Sequence, residues 1–302
     1  MSGSWKLTAR GPRQAVEEAL AAQAAVDDWE ADFVVGAREL PEAPQDWLLE
    51  AWLPRRPTSG DTQRLQNLFA GEAPQVTSER LGDVDWVSAS RQHARPVVAG
   101  PFRVRTPDFA PLDQPGLIEF EIPAAKAFGT GQHATTAGCL EMLAAMKARR
   151  VRPRNVADVG TGTGLLAFAA LALWPQIRAT ATDNDPVCAD SVLDNATRNG
   201  IALGNGRGAL AFGVADGVEG EQHEARAPYD LIIANILARP LMQLAPDFAA
   251  MTSERGHVLL SGLLVSQEAA VRASYRRAGF RLVARLAKAE WSILWLRRRY
   301  QG

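Results

Sequence analysis

The run Asp158-Val159-Gly160-Thr161-Gly162-Thr163-Gly164 sets the tightest limit on how this chain can fold. It follows Asn155-Val156-Ala157, a short strand-like lead, and precedes Leu165 to Leu173, an apolar run with helix-forming residues. Strand, glycine turn and helix in that order are the layout of a nucleotide-binding βαβ unit. Glycine lacks the Cβ that would keep a ligand away from the backbone. A dinucleotide fingerprint, G-x-G-x-x-G, would put its third glycine at 165, which is Leu165; here the third glycine comes one place early. A lone glycine-rich turn also occurs with no ligand at all, so the strand that follows carries the decision.

Ile177 to Ala181 reads as that strand and ends at Thr182-Asp183-Asn184-Asp185-Pro186. A carboxylate about 20 residues after a glycine turn, at the tip of the second strand, can accept hydrogen bonds from both ribose hydroxyls. Asp185 suits the cap before a helix that starts with Pro186, which leaves Asp183 for the ribose. The helix is predicted from Pro186 to Asn199, with Gly200 as its stop. Asp158 followed by G-x-G-x-G resembles motif I of S-adenosylmethionine-dependent methyltransferases. That resemblance implies S-adenosylmethionine as the cofactor, held over Gly160, Gly162 and Gly164.

The rest of the chain frames this unit. Strands are predicted at Asn155–Val159, Arg178–Thr182, Gly208–Val214, Tyr229–Ala234, His257–Ser261, Arg281–Ala287 and Trp291–Leu296. Lys288-Ala289-Glu290 is too short for a crossover, so the last two strands form an antiparallel edge hairpin. The expectation is an α/β fold with a seven-stranded, Rossmann-like methyltransferase sheet over residues 126–302. Residues 1–95 read as strand, helix, strand, strand, helix, strand, the order of a smaller ferredoxin-like domain; substrate recognition is its expected role. Between them, Pro96, Pro101, Pro107, Pro111, Pro115 and Pro123 favour extended chain. Residues 96–125 are therefore read as a connecting segment, with a short hairpin at Val97-Val98 and Phe102 to Arg105 and a strand from Leu117 to Ile122.

Composition excludes several classes. Lys and Arg total 33 against 34 Asp and Glu, so the whole chain is not an electrostatic nucleic-acid binder. Arg297-Arg298-Arg299 reads as a solvated strand end. Cys139 and Cys188 make no metal-ligand spacing, no metal is expected, and a reduced, cytoplasmic chain is the default reading. No stretch is long and apolar enough to span a membrane, so no membrane partner is expected.

Three places can carry chemistry besides the glycine turn. Ala127-Phe128-Gly129-Thr130-Gly131-Gln132-His133-Ala134-Thr135-Thr136 precedes the first strand of the sheet. Thr135 and Thr136 can cap the helix that follows. The loop, Phe128 included, is expected over the methionine part of the cofactor, whose carboxylate would meet the helix N-terminus; His133 reads as a structural hydrogen-bonder rather than a base. Asn235 follows the apolar strand Leu231-Ile232-Ile233-Ala234, at the carboxyl end where parallel sheets place their sites. Its side-chain oxygen can accept a hydrogen bond from a substrate amine, which makes it the candidate catalytic residue. Asp216, after the third strand, could reach the adenine amino group, or simply shape a turn.

In order along the chain, AFGTGQHATT (127–136), DVGTGTG (158–164), NIL (235–237), LSGLL (260–264) and EW (290–291) resemble the bacterial ribosomal protein L11 methyltransferase family. The likeness is strong over residues 125–291 and looser before them. Thr161-Gly162-Thr163 stands where the family usually has Cys-Gly-Ser. The resemblance implies cofactor contacts at Thr136, Gly160, Asp183 and Asn235. It also implies direct methyl transfer to lysine side chains and the N-terminal amine of ribosomal protein L11, with no nucleic acid required. Three rival readings are a related methyltransferase of another protein, such as an electron-transfer flavoprotein, a nicotinamide dehydrogenase, disfavoured by Leu165, and a non-catalytic binding module.

Overall fold

The structure, a computed structural model, describes residues 5–24, 26, 29, 33–40, 43, 45–71, 74–80, 96–123, 134–220, 223 and 225–299. The chain divides into two compact units, Met1–Ala89 and Ser90–Gly302.

The first unit runs β1 (Trp5–Pro12), α1 (Arg13–Ala24), β2 (Val34–Glu39), β3 (Asp46–Leu53), α2 (Ser59–Gln66) and β4 (Val76–Arg80). Its sheet has the order β2-β3-β1-β4, with every pair antiparallel. Alternation decides which face is buried: Leu7 and Ala9 on β1, and Leu49, Ala51 and Leu53 on β3, pack with Val16, Ala19 and Leu65 of the helices. On the other side of β3, Glu50 is buried too, held by Lys6 at 3.2 Å and Arg38 at 3.3 Å. The α2 helix starts on a capping box. Thr58 accepts from the Asp61 backbone N–H, and Asp61 accepts from that of Thr58. The Arg55 guanidinium beside Asp61 holds its carboxyl well below the usual range.

In the second unit, β5 (Val97–Ala99) and β6 (Phe102–Arg105) form an antiparallel hairpin, and β7 (Ile118–Glu121) adds to β6 in parallel. Residues 96–125 were expected to connect two domains, with a hairpin and a strand at these places, but not to belong to a core. Instead, Ala99, Phe102, Val104, Phe120 and Ile122 lie in the same hydrophobic cluster as Leu140, Leu143 and Phe168. The prolines read as linker signals punctuate a small sheet whose alternate residues are core.

The main sheet contains β8 (Asn155–Val159), β9 (Arg178–Asp183), β10 (Ala202–Leu203), β11 (Ala209–Val214), β12 (Tyr229–Asn235), β13 (Thr252–Leu264), β14 (Phe280–Lys288) and β15 (Trp291–Arg298), in the order β10-β11-β9-β8-β12-β13-β15-β14. Eight strands replace the expected seven. The extra one, β10, is two exposed residues long, too short to leave an alternating pattern in sequence. Neighbours from β10 to β13 are parallel, while β13–β15 and β15–β14 are antiparallel. Leu231, Ile232, Ile233 and Ala234 are all fully buried because both faces of the sheet are covered. Leu231 and Ile233 face the cluster of α3 (Ala134–Ala148) and α4 (Leu165–Leu173). Ile232 and Ala234 face Leu241, Phe248 and Tyr275. Among the described residues no helix is long and apolar enough to cross a membrane.

Candidate active site

A cavity of about 510 Å³ opens at the carboxyl ends of β8, β9 and β12, within the range of small-ligand sites. Its floor is the Gly160–Thr163 turn. Gly160 has φ +71°, and a Cβ there would lie 2.3 Å from Ile236 Cγ2, so no other residue fits without displacing the β12 tip. The turn is tied to β9 by the Gly160 and Thr161 N–H groups, both donated to the Thr182 carbonyl. Asn195, buried on α5 (Val187–Arg198), donates to the Thr163 carbonyl at 2.9 Å and holds the far side. The α4 helix starts at Leu165 after Gly164, which has no side chain to cap it, and Leu165 and Leu166 line the cavity. A helix start of this kind favours negative charge.

Asp158 is buried behind the turn. Its Oδ2 accepts from Thr161 Oγ1 at 2.7 Å and from the Ala167 N–H at 3.1 Å, while Oδ1 has no partner among the described residues. Burial pushes its carboxyl up to about 7, against those two hydrogen bonds. Asp183 ends β9. Its Oδ2 accepts from the Gly162 N–H at 2.8 Å and its Oδ1 from the Asp185 N–H at 3.1 Å. The Cys188 thiol also bonds to Asp183; a carboxylate has about four lone-pair sites, so capacity remains for a ligand hydroxyl. Asp185 accepts from the Val187 N–H at 2.9 Å, at the start of the helix. Cys188 also lines the cavity, but burial and the neighbouring Asp183 push its thiol up to about 12, leaving a neutral, unreactive group.

Asn235 ends β12. Its Nδ2 donates to Thr136 Oγ1 at 3.3 Å, and its Oδ1 is buried without a hydrogen-bond partner among the described residues. Thr135 and Thr136 sit inside the first turn of α3, not ahead of it; Thr136 serves the asparagine.

The cavity thus gathers five of the expected residues: Thr136, Gly160, Gly162, Asp183 and Asn235. Two others are not brought in. Gly164 abuts Phe168 Cζ, 2.6 Å from where a Cβ would stand, and its φ of +85° makes it a packing and turn residue. Asp216 is exposed and lies outside the lining; its carbonyl accepts from the Glu219 N–H in a turn, the plainer of the two readings. Phe128 and His133, with the rest of 127–133, lie outside the described residues. The sequence reading missed Ile236, Leu237, Gly262 and Trp291 as lining residues. All four fall inside short motifs already singled out, and Leu237, 70% exposed, is the kind of exposed apolar side chain that edges a binding site. Among the described residues no group of acidic, histidine or cysteine side chains could hold a metal ion.

The family model described as ribosomal protein L11 methyltransferase (PrmA) matches residues 16–299. Two curated relatives carry the same description. The protein of Rhizobium meliloti is 39% identical over 272 residues, 89% of this chain and 91% of its own. That of Sinorhizobium fredii is 39% identical over 269 residues, 88% and 90%. Among solved structures, a ribosomal protein L11 methylase from Lactobacillus delbrueckii subsp. bulgaricus superposes with a TM-score of 0.52 at 26% identity, covering 66% of this chain and 94% of that one.

Proposed function

This chain belongs to the ribosomal protein L11 methyltransferase family, and from that premise we propose that it methylates lysine side chains and the N-terminal amine of L11, with Asn235 as the residue that orients the amine. It is an S-adenosylmethionine-dependent methyltransferase whose substrate is ribosomal protein L11. The cavity suits that cofactor: left-handed glycines at 160 and 162 bring bare backbone to its lining, and a carboxylate stands at the β9 tip. Gly160 and Gly162 would lie against it, Asp183 would take the ribose hydroxyls, and the first turn of α3, whose Thr135 and Thr136 line the cavity, would meet the carboxylate. When bound, it supplies a methyl group activated by a sulfonium.

The observation that carries the acceptor reading is the buried, unpartnered Oδ1 of Asn235. A buried acceptor left empty costs about 1–3 kcal/mol. An N–H of the incoming amine satisfies it. Thr136 engages the amide nitrogen, so Oδ1 is the end left to accept, and the amine lone pair is left free. An amide adds no charge, so a neutral amine is not drawn back to its protonated form. A free lysine is protonated near pH 7. The carboxylates lining the cavity, Asp183 and Asp185, accept backbone hydrogen bonds at the β9 end, so the proton leaves to solvent as the amine docks.

We read the first unit, with its strand order β2-β3-β1-β4, as a ferredoxin-like recognition domain. The test is intact-mass analysis of L11 after incubation with S-adenosylmethionine, for the wild-type chain and for Asn235→Ala at saturating cofactor and substrate. Label on lysine and the N-terminal amine, with turnover in the variant down about tenfold or more, is expected, since about 1.4 kcal/mol in the transition state is a factor of ten. Equal rates would reduce Asn235 to a turn residue.

A further inference from the structure

The tips of β12 and β13 and the start of β15 give the cavity four lining residues besides Asn235: Ile236, Leu237, Gly262 and Trp291. None of the four carries a charge. The carboxylates of the lining, Asp183 and Asp185, belong to the β9 end. The cavity therefore has an acidic side, assigned above to the ribose, and an uncharged side beside Asn235 that the cofactor contacts at Gly160, Gly162 and Asp183 do not use.

Two glycines set the shape of the uncharged side. A Cβ on Gly160, which follows β8, would lie 2.3 Å from Ile236 Cγ2. Gly262, on β13, has φ +84°, and a Cβ there would lie 2.2 Å from the Ile236 carbonyl oxygen. Strand β12 runs between β8 and β13, so Ile236 is gripped from both sides by backbone that only glycine allows to come so near. The next residue is pinned as well. The Leu237 carbonyl accepts from the Leu241 N–H at 3.1 Å, at the start of α6 (Ala238–Gln243). Leu237 is extended, with φ −60° and ψ 153°, and its side chain stays exposed at the cavity while Ala238 and Leu241 after it are buried. A single exposed leucine is ordinary on a protein surface; this one is held at the edge of a site, next to the acceptor oxygen of Asn235. The strand order puts Gly262, with no side chain, between the β12 tip and Trp291 of β15.

We propose that Leu237, with Trp291 across Gly262, packs against the four-carbon stem of an acceptor lysine and so favours lysine side chains over the N-terminal amine. This rests on the amine docking at Asn235 Oδ1, as proposed above. A lysine brings methylenes directly behind its nitrogen. An α-amine brings a Cα and then a peptide group. Methylenes gain by leaving water for leucine and indole, whereas a peptide group placed there gives up hydrogen bonds to water. The same wall therefore holds the one acceptor and penalises the other. No lining carboxylate lies on this side to hold an ammonium, so the wall selects the stem, not a charged head.

The test is peptide mapping by mass spectrometry of L11 after brief incubation with the full-length protein and S-adenosylmethionine, reading methyl groups on lysines and on the N-terminal amine in one sample. A change in cofactor affinity acts on both acceptors alike and cancels from their ratio. Contact with two methylenes is worth about tenfold, so Leu237→Ala should lower the lysine-to-N-terminal ratio about tenfold. Leu237→Gln, long but polar, should lower it as far. Leu237→Met, flexible and apolar, should restore most of it. Calorimetric titration with the cofactor reports on folding; should Leu237→Ala lose binding, the comparison of glutamine with methionine carries the test. An unchanged ratio in the alanine and glutamine variants, or recovery by glutamine as full as by methionine, overturns the proposal and leaves lysine methylation standing. Absence of methyl groups on lysine with the wild-type chain overturns both this proposal and the lysine reading it rests on. Where lysines alone are methylated, the same tenfold fall is expected in kcat/KM for L11 at saturating cofactor, again recovered by methionine, and equal values in all three variants overturn the proposal.

Discussion

Replacing Asp183 with alanine should damage two things at once, and the structure says how to separate them. The carboxylate supports the glycine turn by accepting from the Gly162 and Asp185 N–H groups at 2.8 and 3.1 Å, and it is placed to take two ribose hydroxyls. Hydrogen bonds to a charged group are worth about 1.5–3 kcal/mol each. Asp185 is exposed, so water cheaply replaces the carboxylate at its N–H. The Gly162 N–H lies in the turn itself, and leaving it unpaired should lower unfolding stability by about 1.5–3 kcal/mol. The two ribose contacts amount to about 3–6 kcal/mol on the same scale, offset where water reaches the emptied space, so cofactor affinity should fall at least about tenfold. Calorimetric titration with S-adenosylmethionine and urea unfolding of the cofactor-free protein measure the two effects independently. Asp183→Asn keeps one acceptor oxygen and should fall between. Unchanged affinity with reduced stability would show Asp183 to be only an anchor for the turn. Unchanged values in both assays would refute the reasoning from the β9 tip altogether.

Further expectations follow from neighbouring groups. Gly160→Ala adds left-handed strain and a Cβ 2.3 Å from Ile236 Cγ2; a stability loss of about 2–4 kcal/mol and weaker cofactor binding are expected in the same two assays, and a neutral substitution would mean that the β12 tip yields freely. Asp158 has its carboxyl raised from 3.8 to about 7, so the folded state holds more protons than the unfolded one between those values, and stability should fall as pH rises from about 4 to 7. Asp158→Asn should flatten that decline in urea titrations at pH 5 and 8; an unaltered slope would remove Asp158 as its source. A chain beginning at Pro96, which retains the buried Ala99 of β5, should keep cofactor affinity and lose methylation of L11, and full-rate methylation by the shortened chain would refute a recognition role for the first unit.

The part of the site readable in sequence is the part whose geometry is local. A glycine turn between a strand and an apolar helix, and an acid closing the next strand, are short-range patterns, and both Gly160 and Asp183 line the cavity. The β14–β15 hairpin was equally legible, because three residues between two alternating runs allow little else. Asp216 shows the limit: a strand-end acid is a common turn residue, and only the fold reveals that this one faces solvent. Residues 96–123 misled for a related reason. Proline spacing reports extended backbone, not whether Phe102 and Phe120 are covered.

The pair proposed to position the amine was half-visible. Thr136 and Asn235 were each singled out, but nothing local ties residues 99 apart to one hydrogen bond. The tie comes from the sheet. Parallel pairing of β12 with β8 brings the tip of β12 beside the glycine turn, and packing of α3 in the cluster that includes Leu231 and Ile233 brings its first turn over the same edge. Once those elements are placed, the Thr136 hydroxyl takes one end of the Asn235 amide and leaves the other end empty. An asparagine alone is ambiguous, since it can both donate and accept. Fixed by Thr136 it becomes a one-sided acceptor, suited to an N–H group and not to a carbonyl. Thr136→Val should therefore act through Asn235. It removes the oxygen that fixes the amide, adds no charge, and should lower turnover on L11 more than it lowers cofactor affinity. Thr136→Ser, which keeps the hydroxyl, should restore most of the rate. If serine rescues nothing, the hydroxyl is not what orients Asn235, and the selectivity of the site for amines has another source.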